Sequence, residues 1–278
     1  MATPSQPQTL SKFLPATLQS NGMRCRDETP TSAQDLLARG QLNAKDFIEV
    51  SPDIENTLME AFIEDDYEGR LHLMTLSMMR RDADDDRHDT EEIIGVSFWR
   101  EVPADEMGDW FDVERISKMI TKSTIEHEND SDYSNDVKCR MKLVRSSSIK
   151  WIQNALASTS DQDKTDTKAS IDQLTHSWVK IELIAIKQSY RAHHLGNILL
   201  GCTLAKAHEH NEHAILHVAG GGTQNMPAAK LYGRFGFVSV PRHDEGGPFA
   251  KPDKDLFVLG NIGKALDDLP FEEMLQIK

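Results

Sequence analysis

"WVKIELIAIKQSYRAHHLGNILLG", Trp178–Gly201, is the stretch on which the fold turns. Trp178–Ile186 is short, apolar and rich in β-branched side chains, which predicts a strand. "KQSYRAHH" is a polar connection. "LGNILLGCTLAKAHEH", from Leu195, reads as a helix with Leu195, Ile198, Leu199 and Cys202 on one stripe. Downstream, "HAILHVA" (213–219) is a second strand and "GGGTQ" (220–224) a loop. "NMPAAKLYGRF" (225–235) is a second helix, with Ala228, Leu231, Tyr232 and Phe235 on its buried face. "GFVSV" (236–240) and, after a Gly/Pro-rich loop, "LFVLGNI" (256–262) are further strands. Strand, helix, strand, helix, strand implies an α/β sheet, whose ligand loops lie at the C-terminal ends of strands.

Upstream the pattern loosens. Residues 1–40 read as a tail with little order. The first 26 residues carry Lys12, Arg24 and Arg26 but no acid, and are rich in Ser, Thr and Pro. Either a disordered terminus or an organelle transit segment has that composition. Ser51 or Asp53 can cap a helix with Ile54, Leu58, Met59 and Phe62 on one face. "RLHLMTLSMM" (70–79) and "EIIGVSFWREV" (92–102) are strand candidates, joined by the charged loop "RRDADDDRHDTEE". Residues from about 101 to 176 read as an acidic insertion into the domain spanning 41–278. Within it "WFDVERISKMITKS" and "SSSIKWIQNALAS" have helical spacing. "HENDSDYSND" and "STSDQDKTDTKAS" are polar and predict mobility.

The chain has 278 residues, 38% hydrophobic and 27% charged, with a formal net charge of −14. That balance suits a globular protein and a cationic partner, and it argues against nucleic acid, which needs clustered Lys and Arg. No apolar run approaches the ~20 residues of a membrane span. Cys25, Cys139 and Cys202 are scattered and fit neither a disulfide framework nor a zinc spacing. A reducing compartment is implied, with the cytoplasm expected unless the N-terminal segment directs import.

Two motifs carry chemistry. In Arg191-Ala192-His193-His194-Leu195-Gly196 a turn enters a helix, where unpaired N–H groups and the positive end of the helix dipole make a site for a pyrophosphate. Gly196 allows close approach and Arg191 can add charge-assisted contacts. The second motif is Asn225-x-x-Ala228-x-x-Leu231-Tyr232-x-x-x-Gly236-Phe237. Together they resemble the GNAT superfamily of acyl-CoA-dependent N-acyltransferases, over about residues 178 to 260. The family's turn has glycine where His194 stands, which is a departure: a positive φ there would be tolerated by histidine at a cost. The lengthened "VAGGGTQN" loop is another, read as surface loop.

The resemblance implies a GNAT-like mixed sheet flanked by helices, with a long partly helical insertion before the strand at Trp178. It implies acetyl-CoA as co-substrate, held by Ile184, Ala185, Ile186, Arg191, Ala192, His193, His194, Leu195, Gly196, Asn197, Asn225 and Tyr232. Ile184 would supply the backbone donor to the oxyanion, Ile186 would bond the pantetheine arm, and Asn225 would also cap its helix. An amine must lose a proton before attacking a thioester, so a base is required. Glu182, which shares a strand face with Lys180 and Ile184, is the candidate base; the alternative is a structural carboxylate paired with Lys180 or another cation. Tyr232 is the candidate acid for the departing thiolate; the alternative is a packed aromatic.

The cluster "HEHNEHAILH" tempts a metal reading, but a zinc-protease pattern would need histidine where Glu212 stands, so no metal is expected. The expected activity is acetyl transfer to a primary amine of cationic character, by direct attack in a ternary complex. The alternative is a catalytically silent acyl-CoA-binding module of the same fold.

Overall fold

The computed structural model describes residues 14, 18–19, 22–43, 46–47, 52–64, 69–81, 89–102, 134–160, 178–191, 193–219, 226–240 and 254–269. Its strands are β1 (Met23–Glu28), β2 (Leu71–Arg81), β3 (Asp89–Val102), β4 (Trp178–Ile186), β5 (His213–Ala219), β6 (Val238–Val240) and β7 (Lys254–Leu259). Its helices are α1 (Pro30–Ala38), α2 (Pro52–Glu64), α3 (Asn135–Ser160), α4 (Leu195–Ala207), α5 (Met226–Arg234) and α6 (Ile262–Asp268). These strands form a seven-stranded sheet in the order β1-β2-β3-β4-β5-β7-β6. The mixed α/β architecture expected from the sequence is therefore the one observed. Among the described residues no helix is long and apolar enough to cross a membrane.

The chain divides into two compact units, the boundary falling within β4. The first holds β1, β2, β3 as far as Arg100, Glu182–Ile186 of β4, and α1, α2 and α4. β1 pairs antiparallel with β2 from Met23↔Met78 to Glu28↔Leu73. β2 pairs antiparallel with β3 from Leu71↔Arg100 to Arg81↔Asp89, with a register slip between Leu76 and Ser77 that leaves Ile94 as an extra residue on β3. Such a bulge bends the strand and re-aims the side chains beyond it. The next residue is Gly95, where a Cβ would come within 2.7 Å of Ile186 Cδ1 and 3.2 Å of Leu199 Cδ2. Glycine there is what lets β4 and α4 close onto β3.

One side of this unit's sheet is filled by a cluster of Leu73, Val96 and Phe98 with Phe47, Met59 and Phe62, reached from β4 by Leu183 and Ala185. Phe62 meets Phe98 edge-on at 6.5 Å and 76°, a favoured aromatic geometry. α4 lies against β2, where Thr203 Oγ1 approaches Met74 Sδ at 3.9 Å. The stripe expected on α4 is too narrow a description. Leu195, Asn197–Ala205 and Ala207 are all buried, and a helix apolar on every side belongs in an interior. The Cys25 thiol is pushed well up by its hydrogen bond with Cys202 and by burial, which makes the pair a packing contact rather than a reactive site.

Residues 1–40, read from sequence as tail, contain β1 and α1. The start of α1 is written locally. Ser32 N donates to Thr29 Oγ1 at 3.2 Å, Thr29 N donates to Ser32 Oγ at 2.8 Å, and Pro30 takes the first turn, a reciprocal cap. β1, "MRCRDE", has no apolar run and becomes a strand through its pairing with β2.

The second unit holds Trp178–Ile181 of β4, β5, β6, β7, α3, α5 and α6. β5 pairs antiparallel with β7, from Ala214↔Leu259 to Ala219↔Lys254, and β7 with β6, from Val238↔Val258 to Val240↔Leu256. α3 falls inside the stretch read as an insertion and begins at Asn135–Asp136, within a run expected to be mobile. It packs against α6 and β6, and its Val137, Val144 and Ser148 are buried. Gly236 has φ +83, and a Cβ on it would overlap Val144; only glycine meets both demands. The segment "WFDVERISKMITKS" and the loop 220–224 lie outside the described residues.

Candidate active site

The site expected from sequence begins on β4. Its parallel ladder with β5 runs from Trp178↔His213 to Ile181↔Leu216. Glu182–Ile186 lie beyond the end of that ladder, and Lys187 N is bonded to Ile94 O of β3 at 2.9 Å. A three-residue 3-10 turn, Gln188–Tyr190, then carries the chain towards α4. Ile184 and Ile186 are half-buried and Ala185 is buried, so this strand segment offers backbone amides beside a largely apolar wall.

The tip of α4 is set by His194. Its φ is 55, the one positive φ at a non-glycine position among the described residues. This is the left-handed region that favours glycine, and histidine adopts it at an energetic cost of about 1 kcal/mol. His194 O accepts from Asn197 N at 2.9 Å, and the N–H groups of Leu195 and Gly196 have no intrahelical acceptor, as at any helix start. Asn197 is buried, Gly196 and His194 are half-buried, and His193 is exposed. Ala192 lies outside the described residues.

Arg191 also makes two contacts within the protein. Its Nε donates to Ile186 O at 3.1 Å and its Nη2 donates to Phe47 O at 2.8 Å. The guanidinium thus straps the turn back onto the end of β4 and onto the Asp46–Phe47 segment. Glu182 also has a specific partner. Arg100 Nε donates to Glu182 Oε1 at 2.9 Å, with side-chain exposures of 9% and 17%. A charge-assisted bond between two largely buried groups fixes the carboxylate at one position. The sequence points to Lys180 as a partner and gives no sign of Arg100, the lone cation of β3.

In the second unit, Tyr232 on α5 is 8% exposed. Its ring meets Phe237 at 5.8 Å and Phe257 at 6.0 Å. Its hydroxyl makes no hydrogen bond among the described residues, and burial pushes its pKa up to about 12. Ala229, rather than the Ala228 expected, is the buried alanine of α5; Ala228 and Leu231 are half-buried. Asn225 lies outside the described residues. The histidine cluster resolves into separate roles. His208 Nδ1 is 3.0 Å from Asn211 O, and His213 Nδ1 is 2.5 Å from Gly260 O, with its ring 4.8 Å from that of Trp178. Burial holds His213 below the usual imidazole pKa, so the neutral ring donates Nδ1–H to the carbonyl.

Residues 159–237 match the model of the acetyltransferase (GNAT) family. Comparison with curated protein sequences gives no match. Among solved structures, the chain is similar to Arabidopsis thaliana NAA60 in complex with acetyl-CoA, at 15% identity over 85% of this chain and 97% of the other, with a TM-score of 0.42. It is also similar to the acetyltransferase of GNAT family from Streptococcus pneumoniae, at 16% identity over 85% and 96% of the two chains, with a TM-score of 0.39. The segment that matches the acetyltransferase (GNAT) family model, residues 159–237, holds the β4–turn–α4 unit, β5 and α5.

Proposed function

We propose that the protein transfers an acetyl group from acetyl-CoA to a primary amine, by direct attack in a ternary complex. The observation that carries this reading is the tip of α4, where the backbone at His194, the motif's glycine position, takes the glycine-favoured φ of 55 at the entry to a buried helix. The pyrophosphate would lie against the N–H groups of Leu195 and Gly196, at the positive end of the α4 dipole. The pantetheine arm would run along Ile184–Ile186, past the end of the β5 ladder.

In the reaction the amine nitrogen attacks the thioester carbonyl carbon, the carbon–sulfur bond breaks, and coenzyme A leaves as a thiolate. Glu182 would take the ammonium proton, directly or through a water; Arg100 keeps that carboxylate in place. The Ile184 N–H would meet the oxyanion. Tyr232 would donate a hydrogen bond to the departing sulfur. A phenol near 12 gives its proton to a thiolate of pKa ~8.5 only uphill, so solvent supplies the proton. The chain's −14 charge favours a cationic acceptor, a polyamine or a basic peptide.

The strap made by Arg191 and the ion pair at Glu182 favour a second reading, a silent acyl-CoA-binding module, since both charged groups are already engaged. Thiol release from acetyl-CoA across a panel of polyamines, small amines and basic peptides separates the two. Release with at least one amine is expected. Thermal stabilisation by coenzyme A with no release from any amine would establish the silent module instead.

A further inference from the structure

The connection from β4 to α4 is held from beneath by one carboxylate. Glu92 on β3 accepts from Tyr190 Oη at 2.7 Å through Oε2 and from Lys187 Nζ at 3.2 Å through Oε1. Arg80 Nε of β2 reaches the same Oε2 at 2.9 Å. Lys187 Nζ lies 3.5 Å from Asp46 Oδ2 and 5.9 Å from the Phe47 ring centroid. Arg80 stands over the Tyr190 ring at 5.9 Å. Two of these three donors to Glu92 therefore belong to the turn, and the third comes from the neighbouring strand.

We propose that Glu92 is a positioning residue, fixing Lys187 and Tyr190 so that the turn presents α4's first N–H groups to the coenzyme's diphosphate. The proposal rests on reading that turn as the acetyl-CoA site. Ordering an untethered connection at the moment of binding costs backbone entropy. Here the tether is ionic and three-centred, and charge-assisted bonds of this length are the stronger kind. Burial pushes the Glu92 pKa up, but the bonds from Tyr190 and Lys187 and the charges of Lys187 and Arg80 outweigh it, and the carboxyl sits below its usual range. Glu92 is thus an anion at neutral pH, as the tether needs.

The test is calorimetric binding of acetyl-CoA to the full chain, paired with hydrogen exchange of the 187–197 peptide. Glu92→Ala is expected to weaken binding about tenfold and to speed exchange in 187–197 while β5 stays protected. Glu92→Gln loses the charge and one of the two acceptor oxygens, so it should recover only part of the affinity and stay about threefold weaker than wild type; Tyr190→Phe should also cost about threefold. If Glu92→Ala does not fold, the Gln and Phe variants carry the test. Folded variants that bind within twofold of wild type would overturn the positioning role and leave the acetyl-CoA site standing. Faster exchange throughout the first unit with unchanged affinity would reduce Glu92 to a stabilising residue and equally overturn it. No heat from the wild type would remove both readings.

Discussion

His194→Gly is the substitution that most directly interrogates the turn. At φ 55 the imidazole-bearing residue sits where an L side chain crowds the following carbonyl, at about 1–2 kcal/mol, histidine lying at the low end. Glycine removes that cost but brings back about 0.5–1 kcal/mol of chain entropy in the unfolded state. The net expectation is a gain of about 0–0.5 kcal/mol. His194→Ala keeps the steric cost and should fall below the glycine variant by about 1 kcal/mol. The ordering is the informative part, because away from positive φ alanine outranks glycine by a similar amount. Equilibrium urea unfolding of the two variants measures the difference, and acetyl-CoA titration of each checks that the glycine variant binds at least as well as wild type. An alanine variant equal to or more stable than the glycine variant would refute the left-handed turn, and with it the argument for a retained phosphate-binding shape.

The other expectations concern single groups. Tyr232→Phe removes a hydroxyl with no hydrogen bond among the described residues, so stability should move by less than ~1 kcal/mol, while loss of its hydrogen bond to the departing thiolate should lower turnover about tenfold to a hundredfold; unchanged turnover on an accepted amine would remove its role. Arg100→Met strands Glu182 as a buried charge and should cost about 3 kcal/mol, with the double variant Arg100→Met/Glu182→Leu recovering most of it; a chemical-denaturation series tests the coupling. His213, its pKa lowered by burial, contributes stability that is present above its unfolded pKa of ~6.5 and is lost as pH falls through its lower folded pKa. Melting curves from pH 8 to 5 should show that loss in wild type and a flatter profile in His213→Gln.

Much of this architecture can be read from the chain because its signals are local. Trp178–Ile186 is a β-branched apolar run, the turn after it is polar, and the alternation of strands and helices beyond it admits few sheets. The cap of α1 is legible too, in Thr29, Pro30 and Ser32, but the polar composition around it points to a tail. β1 escapes because an edge strand such as "MRCRDE" owes its conformation to the ladder with Leu73–Met78, not to its own pattern. α6 escapes because "LGNI" continues the apolar run of β7; the break is made by Asn261, whose side chain accepts from Lys264 N at 2.6 Å. At the site, sequence supplies the turn and Glu182 but not their fixings. Arg100 lies 82 positions from Glu182, and Glu92 98 positions from Tyr190, and no spacing rule reaches that far. Arg191 stands where the motif puts it, but its bonds to Ile186 O and Phe47 O, which take two of its five donors, are not legible from the motif.

α4 is enclosed along nearly its whole length, with even Asn197 and Thr203 buried. Thr203 discharges its hydroxyl inward, donating to Leu199 O at 2.8 Å. A rod gripped on every side cannot be retuned by changing its outer face, for it has none. On the proposed reading, adaptation to a new acyl chain or acceptor would therefore have to be written at the rod's tip and in the strand before it, while Leu195–Ala207 drifts only among residues of matching volume.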